Sequence, residues 1–461
     1  MRSILRLPLY GLTALALALS GCSESAVEPS PDVGPSLQAR GGASGMTLTE
    51  AGGYVLSVSP SQLDAVSAAI GDAGGTVVRS HAGAGIIVAT GLSPDAATAL
   101  SGGSGVRAMA ADVMVPHPSR IRGVESTPAS HDPKDAFFYQ IGYQWDMEVI
   151  HADDAWDAGA TAEGVTVAIL DTGIDATHQD LAGLVDPSRS IAFVENVNPL
   201  IPAWGDDHYH GTHVAGTVAS NGIGTAGVAP HATLMAVKIC GAYFGCPFSA
   251  IVSGLLFSAD NGADVVNMSL QGFVGKRFEG GGQLNALLTT VMNYASQKGV
   301  VVVSAAGNSG YDLDHLGRDF RAGSYVSTPC ESGNGMCVSA TNYWDEVTSY
   351  SNHGTSAISV AAPGGDTGVP YLVLAPCSTQ SVYLPDVAGF SCEPTTYLWL
   401  SGTSMASPHV AGTAALVAAR VGENPGRIRS ILQNTADDLG KPGADPFYGK
   451  GRINVMNAWG N

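Results

Sequence analysis

The chain has 461 residues, enough for one large domain with smaller attachments or for about three average domains. Hydrophobic residues make up 45% of it and charged residues 13%, which is the composition of a compact globular protein and excludes a disordered one. The formal net charge of −19 argues against nucleic-acid binding, because phosphate recognition needs clustered basic side chains.

The N-terminus has the pattern of a secretory signal. Two arginines precede an apolar run from Leu7 to Leu19, which is too short for a comfortable membrane span. The run ends in the residues LSGC, which resemble a bacterial lipobox and imply a signal peptide of residues 1–22 with lipidation at Cys22. The alternative is an ordinary secretory signal that ends near a cysteine. Both interpretations predict a protein outside the cytoplasm, attached to a membrane only through an N-terminal lipid.

Six further cysteines predict disulfide bonds, since an even number in an oxidising compartment is typical of such bonds. The connectivity cannot be deduced from sequence alone. The short separations favour the following pairs: Cys240 with Cys246, Cys330 with Cys337, and Cys377 with Cys392. No C-x-x-C pair is present, so metal binding by cysteine is the less favoured interpretation.

The N-terminal part of the mature chain predicts a tether and a small domain. Residues 23–52 are rich in Ser, Pro, Glu and Gly, which predicts a flexible tether. Residues 53–117 then follow the order strand, helix, strand, strand, helix, strand, with the last strand in VRAMAADVMVPH. This order predicts a small ferredoxin-like α+β domain. A second linker, residues 118–136, separates it from residues 137–461.

The large C-terminal part predicts a doubly wound α/β domain. The apolar runs VTVAILD, TLMAVKIC, ADVVNMSL and GVVVVSAAGN are typical of parallel strands that are covered on both faces. Between the last two runs, QLNALLTTVMNYASQKG has apolar residues at helical spacing and ends at Gly299. We therefore predict a mainly parallel sheet with helices on both faces and an active site at the carboxyl ends of the strands.

Four polar residues stand at the ends of these predicted elements. Asp171 closes VTVAILD, Asn308 closes VVVVSAAGN, and His210 opens HGTHVAG. Ser404 lies in GTSMASPHVAG, where a helix is expected to begin. An acid, a base, a nucleophile and an amide donor are the groups that acyl transfer requires.

The blocks VAILDTGID, HGTHVAGTVA, SAAGNSG and GTSMASPHVAG, in this order, resemble the Asp, His, oxyanion-Asn and Ser blocks of the subtilisin-like serine proteases. The similarity extends from about residue 140 to the end of the chain. It implies that Asp171, His210 and Ser404 form a catalytic triad. It also implies that the side chain of Asn308 and the backbone amide of Ser404 bind the oxyanion. On this basis we predict a serine endopeptidase, with Ser401 and Ser407 as structural residues.

The same resemblance implies a substrate-binding edge and raises the question of calcium. NMSLQG is similar to the family's edge strand, so Ser269, Leu270 and Gly272 would pair with an extended peptide. Gln271 stands where the family usually has a small residue. ASNGIGTAGVAP is shorter than the family's calcium-binding loop, which leaves Asp180 either as a ligand of a structural calcium ion or as a surface acid. The chemistry itself requires no cofactor.

Subtilisin-like proteases are commonly preceded by a ferredoxin-like propeptide that assists folding and inhibits the enzyme with its C-terminal strand. Residues 53–117 resemble this propeptide in length and pattern. The resemblance implies a monomeric endopeptidase that acts on polypeptides, is made as a self-inhibited precursor, and leaves its lipid anchor after cleavage between about residues 116 and 137. The alternative is a catalytically silent surface lipoprotein that binds peptides.

Two other patterns predict different chemistry. The DTG triplets at Asp171 and Asp366 are similar to those of an aspartic protease dyad, but the α/β alternation contradicts that all-β fold. HYHGTH has three histidines at a spacing typical of a metal motif, with Thr212 where an Asp is expected. We therefore expect His208 at the surface and His213 packed in the interior.

Overall fold

The computed structural model describes residues 47–48, 52–115, 122–125, 132–275, 281–316, 325–366 and 371–461. The predicted signal peptide and Cys22 lie outside these residues. Among the described residues, no helix is both long enough and apolar enough to cross a membrane.

The described strands and helices are numbered here in chain order. The strands are β1 Thr47–Leu48, β2 Tyr54–Val58, β3 Thr76–His81, β4 Ile86–Thr90, β5 Val106–Ala111, β6 Val113–Val115, β7 Arg122–Glu125, β8 Thr166–Asp171, β9 Ile191–Ala192, β10 Thr233–Lys238, β11 Cys246–Pro247, β12 Val265–Met268, β13 Gly272–Gly275, β14 Val301–Ala305, β15 Tyr325–Thr328, β16 Met336–Thr341, β17 Val360–Pro363, β18 Val373–Pro376 and β19 Thr396–Leu400. The α-helices are α1 Leu63–Asp72, α2 Pro94–Ser101, α3 Phe137–Gln140, α4 Trp145–Val149, α5 Ala152–Asp157, α6 His210–Val218, α7 Phe248–Asp260, α8 Gly281–Gln297, α9 Thr403–Val421, α10 Pro425–Asn434 and α11 Val455–Gly460.

The large domain is built on a seven-stranded sheet in the order β17-β16-β14-β12-β8-β10-β9, and every neighbouring pair is parallel. Strand β8, next to the middle strand β12, is apolar from residue 167 to residue 170, and both of its faces are covered. Val167 and Ile169 lie in the same hydrophobic core as α6 and α9, whereas Ala168 and Leu170 lie in the core formed with α7 and α8. The predicted doubly wound fold with helices on both faces is confirmed.

The small domain has the predicted order of strands and helices. Its antiparallel sheet runs β3-β4-β2-β5, and α1 and α2 cover one face. Leu56 and Ile87 lie on that face, in one core with Ile70 of α1. Val55 and Val88 point to the opposite face and share a core with α7 and α8 of the large domain. The large domain therefore covers the face that the small domain's own helices leave open.

The predicted flexible tether and the predicted processing linker each contain a short paired strand, which the sequence analysis did not predict. β1 lies within the predicted tether and pairs antiparallel with β6. β7 lies within the second linker and pairs antiparallel with β19. Composition does not show such pairing, because a short edge strand is held by backbone hydrogen bonds rather than by an apolar side-chain pattern.

The three favoured cysteine pairs are disulfides in the structure. Cys240–Cys246 and Cys330–Cys337 close short loops, and Cys377–Cys392 closes a longer one between β18 and β19. This part of the sequence analysis is confirmed.

Candidate active site

Asp171 and His210 form a buried pair at the carboxyl edge of the sheet. Asp171 is the last residue of β8, and His210 is the first residue of α6. Nδ1 of His210 lies 2.8 Å from Oδ1 of Asp171, and both side chains are buried. The backbone N–H of Thr172 also donates to Oδ1 of Asp171, at 2.8 Å. The carboxylate is thereby held in one orientation against the imidazole ring.

Two glycines allow the start of α6 to approach the end of β8 closely. Gly173 has a φ of +115°, and a Cβ there would lie 2.4 Å from the carbonyl oxygen of Gly205. A Cβ at Gly211 would lie 2.1 Å from the carbonyl oxygen of Gly173. Because any larger residue would collide with backbone, glycine is required where Asp171 and His210 meet.

A second buried carboxylate, Asp206, is hydrogen-bonded both to the residue that follows Asp171 and to the first turn of the helix that begins at His210. Its Oδ1 accepts a hydrogen bond from the Thr172 hydroxyl at 2.8 Å, and its Oδ2 accepts one from the Thr212 N–H at 2.9 Å. Burial raises the pKa of Asp206 to about 6. Burial alone would lower the pKa of His210, but the charges of Asp171 and Asp206 and the hydrogen bond to Asp171 raise it above its ordinary value.

Ser404 lies in the first turn of α9, and Ser269 fixes this turn. Pro408 has no N–H, so it cannot donate to the carbonyl of Ser404 four residues before it. The hydroxyl of Ser269 donates to that carbonyl instead, at 2.8 Å. The hydroxyl of Ser404 in turn donates to the carbonyl of Ser269 at 3.2 Å. The helix start is therefore attached to the end of β12.

Asn308 follows β14 by three residues and is oriented by Thr403. The N–H and the hydroxyl of Thr403 both donate to Oδ1 of Asn308, at 2.8 Å each. A Cβ at Gly402 would lie 3.1 Å from Nδ2 of Asn308 and 3.6 Å from the backbone N of Ser404. Both predicted oxyanion donors therefore lie beside Gly402.

The four predicted residues come from neighbouring parts of one sheet edge. Strand β12 lies between β8 and β14, so Asp171, Ser269 and Asn308 lie at or just after the carboxyl ends of adjacent parallel strands. His210 contacts Asp171, and Ser404 contacts Ser269. The sheet thus gathers the acid, the base, the hydroxyl and the amide at the edge where the sequence predicted a site.

The sequence analysis predicted one substrate-binding edge, at residues 269–272, and missed the pairing of β6 with β11. Ser269 and Leu270 lie between β12 and β13, and Gly272 pairs with Thr328 of β15. Strand β6 pairs with β11 in the antiparallel direction, and Val115 lies opposite Cys246. Cys240, the last residue of the run TLMAVKIC, and Cys246 were the available signal for a fixed loop before α7.

Asp180 does not fit the predicted calcium site, and it is not a surface acid. Its side chain is fully buried. Its carboxylate accepts hydrogen bonds from the hydroxyl of Tyr397 at 2.7 Å and from the backbone N–H groups of residues 223–225 at distances between 2.7 and 3.3 Å. Donors that point at the carboxylate would repel a cation. The described residues contain no cluster of three or more acidic, His or Cys residues suited to a metal ion.

The predictions for the two flanking histidines had different outcomes. His213 is buried as expected, with Nε2 3.0 Å from the carbonyl oxygen of Leu398, and burial lowers its pKa to about 3. His208 is also buried, stacked on Tyr209 with ring centroids 4.1 Å apart, so its predicted surface position is wrong. Spacing alone did not show that an aromatic neighbour would cover it.

A parallel sheet that carries an acid–imidazole pair and a serine at a helix start on its carboxyl edge is the arrangement of an α/β serine hydrolase. The model of the subtilase family, Peptidase_S8, matches residues 162–451. The chain is 36% identical to thermitase of Thermoactinomyces vulgaris over 71% of this chain and 99% of that protein. It is 38% identical to Subtilisin Savinase of Lederbergia lenta over 68% of this chain and 97% of the relative.

A solved structure has a fold similar to that of this chain. The epidermin leader peptide processing serine protease of Staphylococcus aureus matches with a TM-score of 0.69 and 21% identity, covering 89% of this chain and 98% of that one. Together with the sequence matches, these findings place the chain in the subtilase family. It is a subtilisin-like serine endopeptidase, and its substrates are polypeptides.

Proposed function

We propose that Ser404, His210 and Asp171 hydrolyse peptide bonds through an acyl-enzyme. The hydroxyl oxygen of Ser404 attacks the carbonyl carbon while His210 takes its proton, and His210 then gives that proton to the leaving amine. Water, deprotonated by His210, attacks the ester carbon, and the Ser404 oxygen leaves with the proton. Asp171 orients the ring and stabilises its charged form. The observation that carries this proposal is the buried 2.8 Å pair of Asp171 and His210 at the edge where α9 begins.

The oxyanion formed in each step would be bound by Nδ2 of Asn308 and the backbone N–H of Ser404. Thr403 supports this role, because its two hydrogen bonds occupy Oδ1 of Asn308 and leave the amide nitrogen on the side of Gly402. Donors held in place before the reaction stabilise the developing charge without reorganisation.

A single substitution tests the catalytic role of Ser404. Ser404→Ala is expected to reduce casein hydrolysis by a factor of at least about 10³, because the acyl-enzyme can no longer form. Ser401→Ala is the matched control, since it removes a hydroxyl three residues away that has no proposed role in catalysis. Near wild-type activity is expected for Ser401→Ala, and full activity of Ser404→Ala would contradict the proposal.

We further infer that residues 53–117 are an inhibitory propeptide. Their sheet presents Val55, Val88 and Ala110 to the core that contains α7 and α8, so separation of the domains would expose apolar side chains. Asp112 accepts two hydrogen bonds from Ser249 at the first turn of α7. These contacts support a small domain that folds against the enzyme rather than a freely tethered one.

The C-terminal strand of the small domain supports inhibition at the cleft. β6 pairs with β11 by backbone hydrogen bonds, which is how an extended peptide adds to an exposed strand edge. A substrate peptide would use the same edge, with Ser269, Leu270 and Gly272 on its other side. While β6 occupies that edge, substrate cannot bind there.

We propose that the precursor reaches the cell envelope as a lipoprotein modified at Cys22 and that cleavage after the small domain releases the enzyme. The three disulfides support folding in an oxidising compartment. Labelling with a palmitate analogue in a bacterial host tests the anchor: wild type should incorporate label and Cys22→Ser should not. Equal labelling of the two proteins would contradict lipidation at this residue.

A further inference from the structure

Lys238 is a buried cation beside the proposed catalytic pair, and it takes no part in the mechanism described above. It is the last residue of β10 and lies opposite Asp171 in the parallel pairing of β10 with β8. Its side chain is fully buried, and so is that of Asp207, whose Oδ1 lies 2.6 Å from Nζ of Lys238. An apolar pair of similar volume would often be at least as stable as a buried ion pair. Stability alone therefore does not explain why a charged pair lies here.

The ammonium group of Lys238 joins the two segments that carry the acid and the base. Nζ donates to the carbonyl oxygen of Thr172, the residue after Asp171, at 2.5 Å. It also donates to the carboxylate of Asp207, which precedes His210 in the chain, at 2.6 Å. One side chain thus connects the end of β8 to the segment that leads into α6.

Both ends of this connection are attached to other parts of the fold. Oδ2 of Asp207 accepts a hydrogen bond from the N–H of Val197 at 2.8 Å, and its carbonyl oxygen accepts one from the N–H of Val382 at 2.9 Å. At the end of β8, the N–H of Ile239 donates to the carbonyl oxygen of Asp171 at 2.9 Å. Because both ends are fixed, the ammonium group restrains the separation between the two segments.

The charge of Lys238 acts on the same region. The carboxylates of Asp171, Asp206 and Asp207 are all buried around it. Burial raises the pKa of Asp206, whereas the positive charge of Lys238 lowers it. Lys238 thereby favours the charged form of Asp206, and that charge in turn favours protonation of His210. Geometry and charge both connect Lys238 to the imidazole ring.

We propose that Lys238 is a positioning residue of the triad, which holds the segment after Asp171 at a fixed distance from the segment before His210. The imidazole ring then stays aligned with the carboxylate during the reaction. Lys238 does not contact the substrate and is not a catalytic residue. The inference rests on the proposed function of the same site. Alignment affects the rate because a displacement of about 1 Å in a reacting group can cost about 10²-fold.

The first test removes the ammonium group without leaving an unpaired charge in the interior. A double variant combines Lys238→Met with Asp207→Asn, and the asparagine keeps an oxygen for the N–H of Val197. We expect kcat of the processed protein on a peptide amide to fall by about 10²-fold, per folded molecule, with KM unchanged. Lys238→Arg keeps the charge but changes the length and shape of the side chain, so its kcat should fall by a smaller factor.

A spectroscopic measurement separates positioning from stability. Nδ1 of His210 lies 2.8 Å from Oδ1 of Asp171, and the chemical shift of the proton between them depends on this hydrogen bond. The resonance can be followed with isotopically labelled histidine in full-length Ser404→Ala, which needs no processing. It should move when the double change is added, and it should move in the same direction, by less, with Lys238→Arg.

Arg452→Met is the matched control for the loss of a buried cation. Arg452 is buried, and its ion-pair partners are Asp345 and Asp437. Its replacement should lower Tm, because it leaves two carboxylates without their cation. It should leave kcat per folded molecule and the His210 resonance unchanged.

The outcomes separate this inference from the proposed function. Wild-type kcat and an unmoved resonance in the double variant would overturn the inference and leave the protease intact. A loss of activity that only follows a loss of folded protein, with an unmoved resonance, would also overturn it, because Lys238 would then be structural. Absence of hydrolysis by processed wild type would instead contradict the proposed function.

Discussion

The carboxylate of Asp112, in the small domain, caps a helix of the large domain through Ser249. Its Oδ1 accepts from the N–H of Ser249 at 2.8 Å, and its Oδ2 accepts from the hydroxyl of the same residue at 2.5 Å. Pro247, which precedes α7, offers no side-chain cap. The first N–H groups of a helix have no partner within it, and a carboxylate is favoured at its positive end. This contact therefore couples the two domains.

Asp112→Asn is expected to weaken docking of the small domain by about 1 kcal/mol, because it removes charge and one acceptor at the helix end. Hydrogen exchange of β2 to β5 in full-length Ser404→Ala measures the change as faster exchange. Asp95→Asn, at the first turn of the small domain's own α2, is the control and should leave the exchange of β2 to β5 unchanged. Unchanged exchange in the Asp112 variant would show that the cap contributes nothing to docking.

The raised pKa of His210 predicts where activity is lost on acidification. His210 accepts a proton only when its ring is neutral, so kcat/KM should fall as the pH drops through the pKa of His210. This pKa lies above the ordinary value of about 6.5. Asp206→Asn removes a negative charge that favours the protonated ring, so the acid limb should move to lower pH. Asp175→Asn is the control, because it removes another buried carboxylate, one that accepts from Thr379 at 2.8 Å. An unmoved limb in Asp206→Asn would contradict the coupling.

The hydrogen bonds of Asp180 predict that the loop after α6 needs no calcium. Removal of divalent ions with EDTA should leave Tm unchanged. Asp180→Ala should lower the free energy of unfolding by about 1–3 kcal/mol, because buried N–H groups of residues 223–225 lose their acceptor. A Tm that falls with EDTA in wild type, and does not fall in Asp180→Ala, would indicate a cation at this carboxylate.

Asn308→Asp separates the two roles of this side chain. The aspartate keeps an oxygen for the hydrogen bonds from Thr403 but has no N–H for the oxyanion. We expect kcat to fall by about 10²–10³ with little change in KM. Steady-state kinetics on a peptide ester and a peptide amide measure this, and wild-type kcat in the variant would exclude an oxyanion role for Asn308.

The central sheet and the site could be predicted because their signals are local. The run that ends at Asp171 is apolar on both faces, and parallel strands deliver their carboxyl ends to one edge. The burial of Asp180 could not be predicted, since its donors come from residues 223–225 and Tyr397, far away in the chain. The burial of His208 could not be predicted either, because Tyr383, far away in the chain, helps to cover it. Nor could the backbone pairing of β1 with β6 or of β7 with β19.

The most direct test of the proposed mechanism is the intact mass and N-terminal sequence of wild type and Ser404→Ala, both expressed without residues 1–22 and incubated alone. We expect wild type to be cleaved within residues 116–137 and the variant to stay whole, because Ser404 would be the nucleophile of its own maturation. If both proteins remain intact and neither degrades casein, self-processing by Ser404 is contradicted, and a peptide-binding lipoprotein becomes the better description.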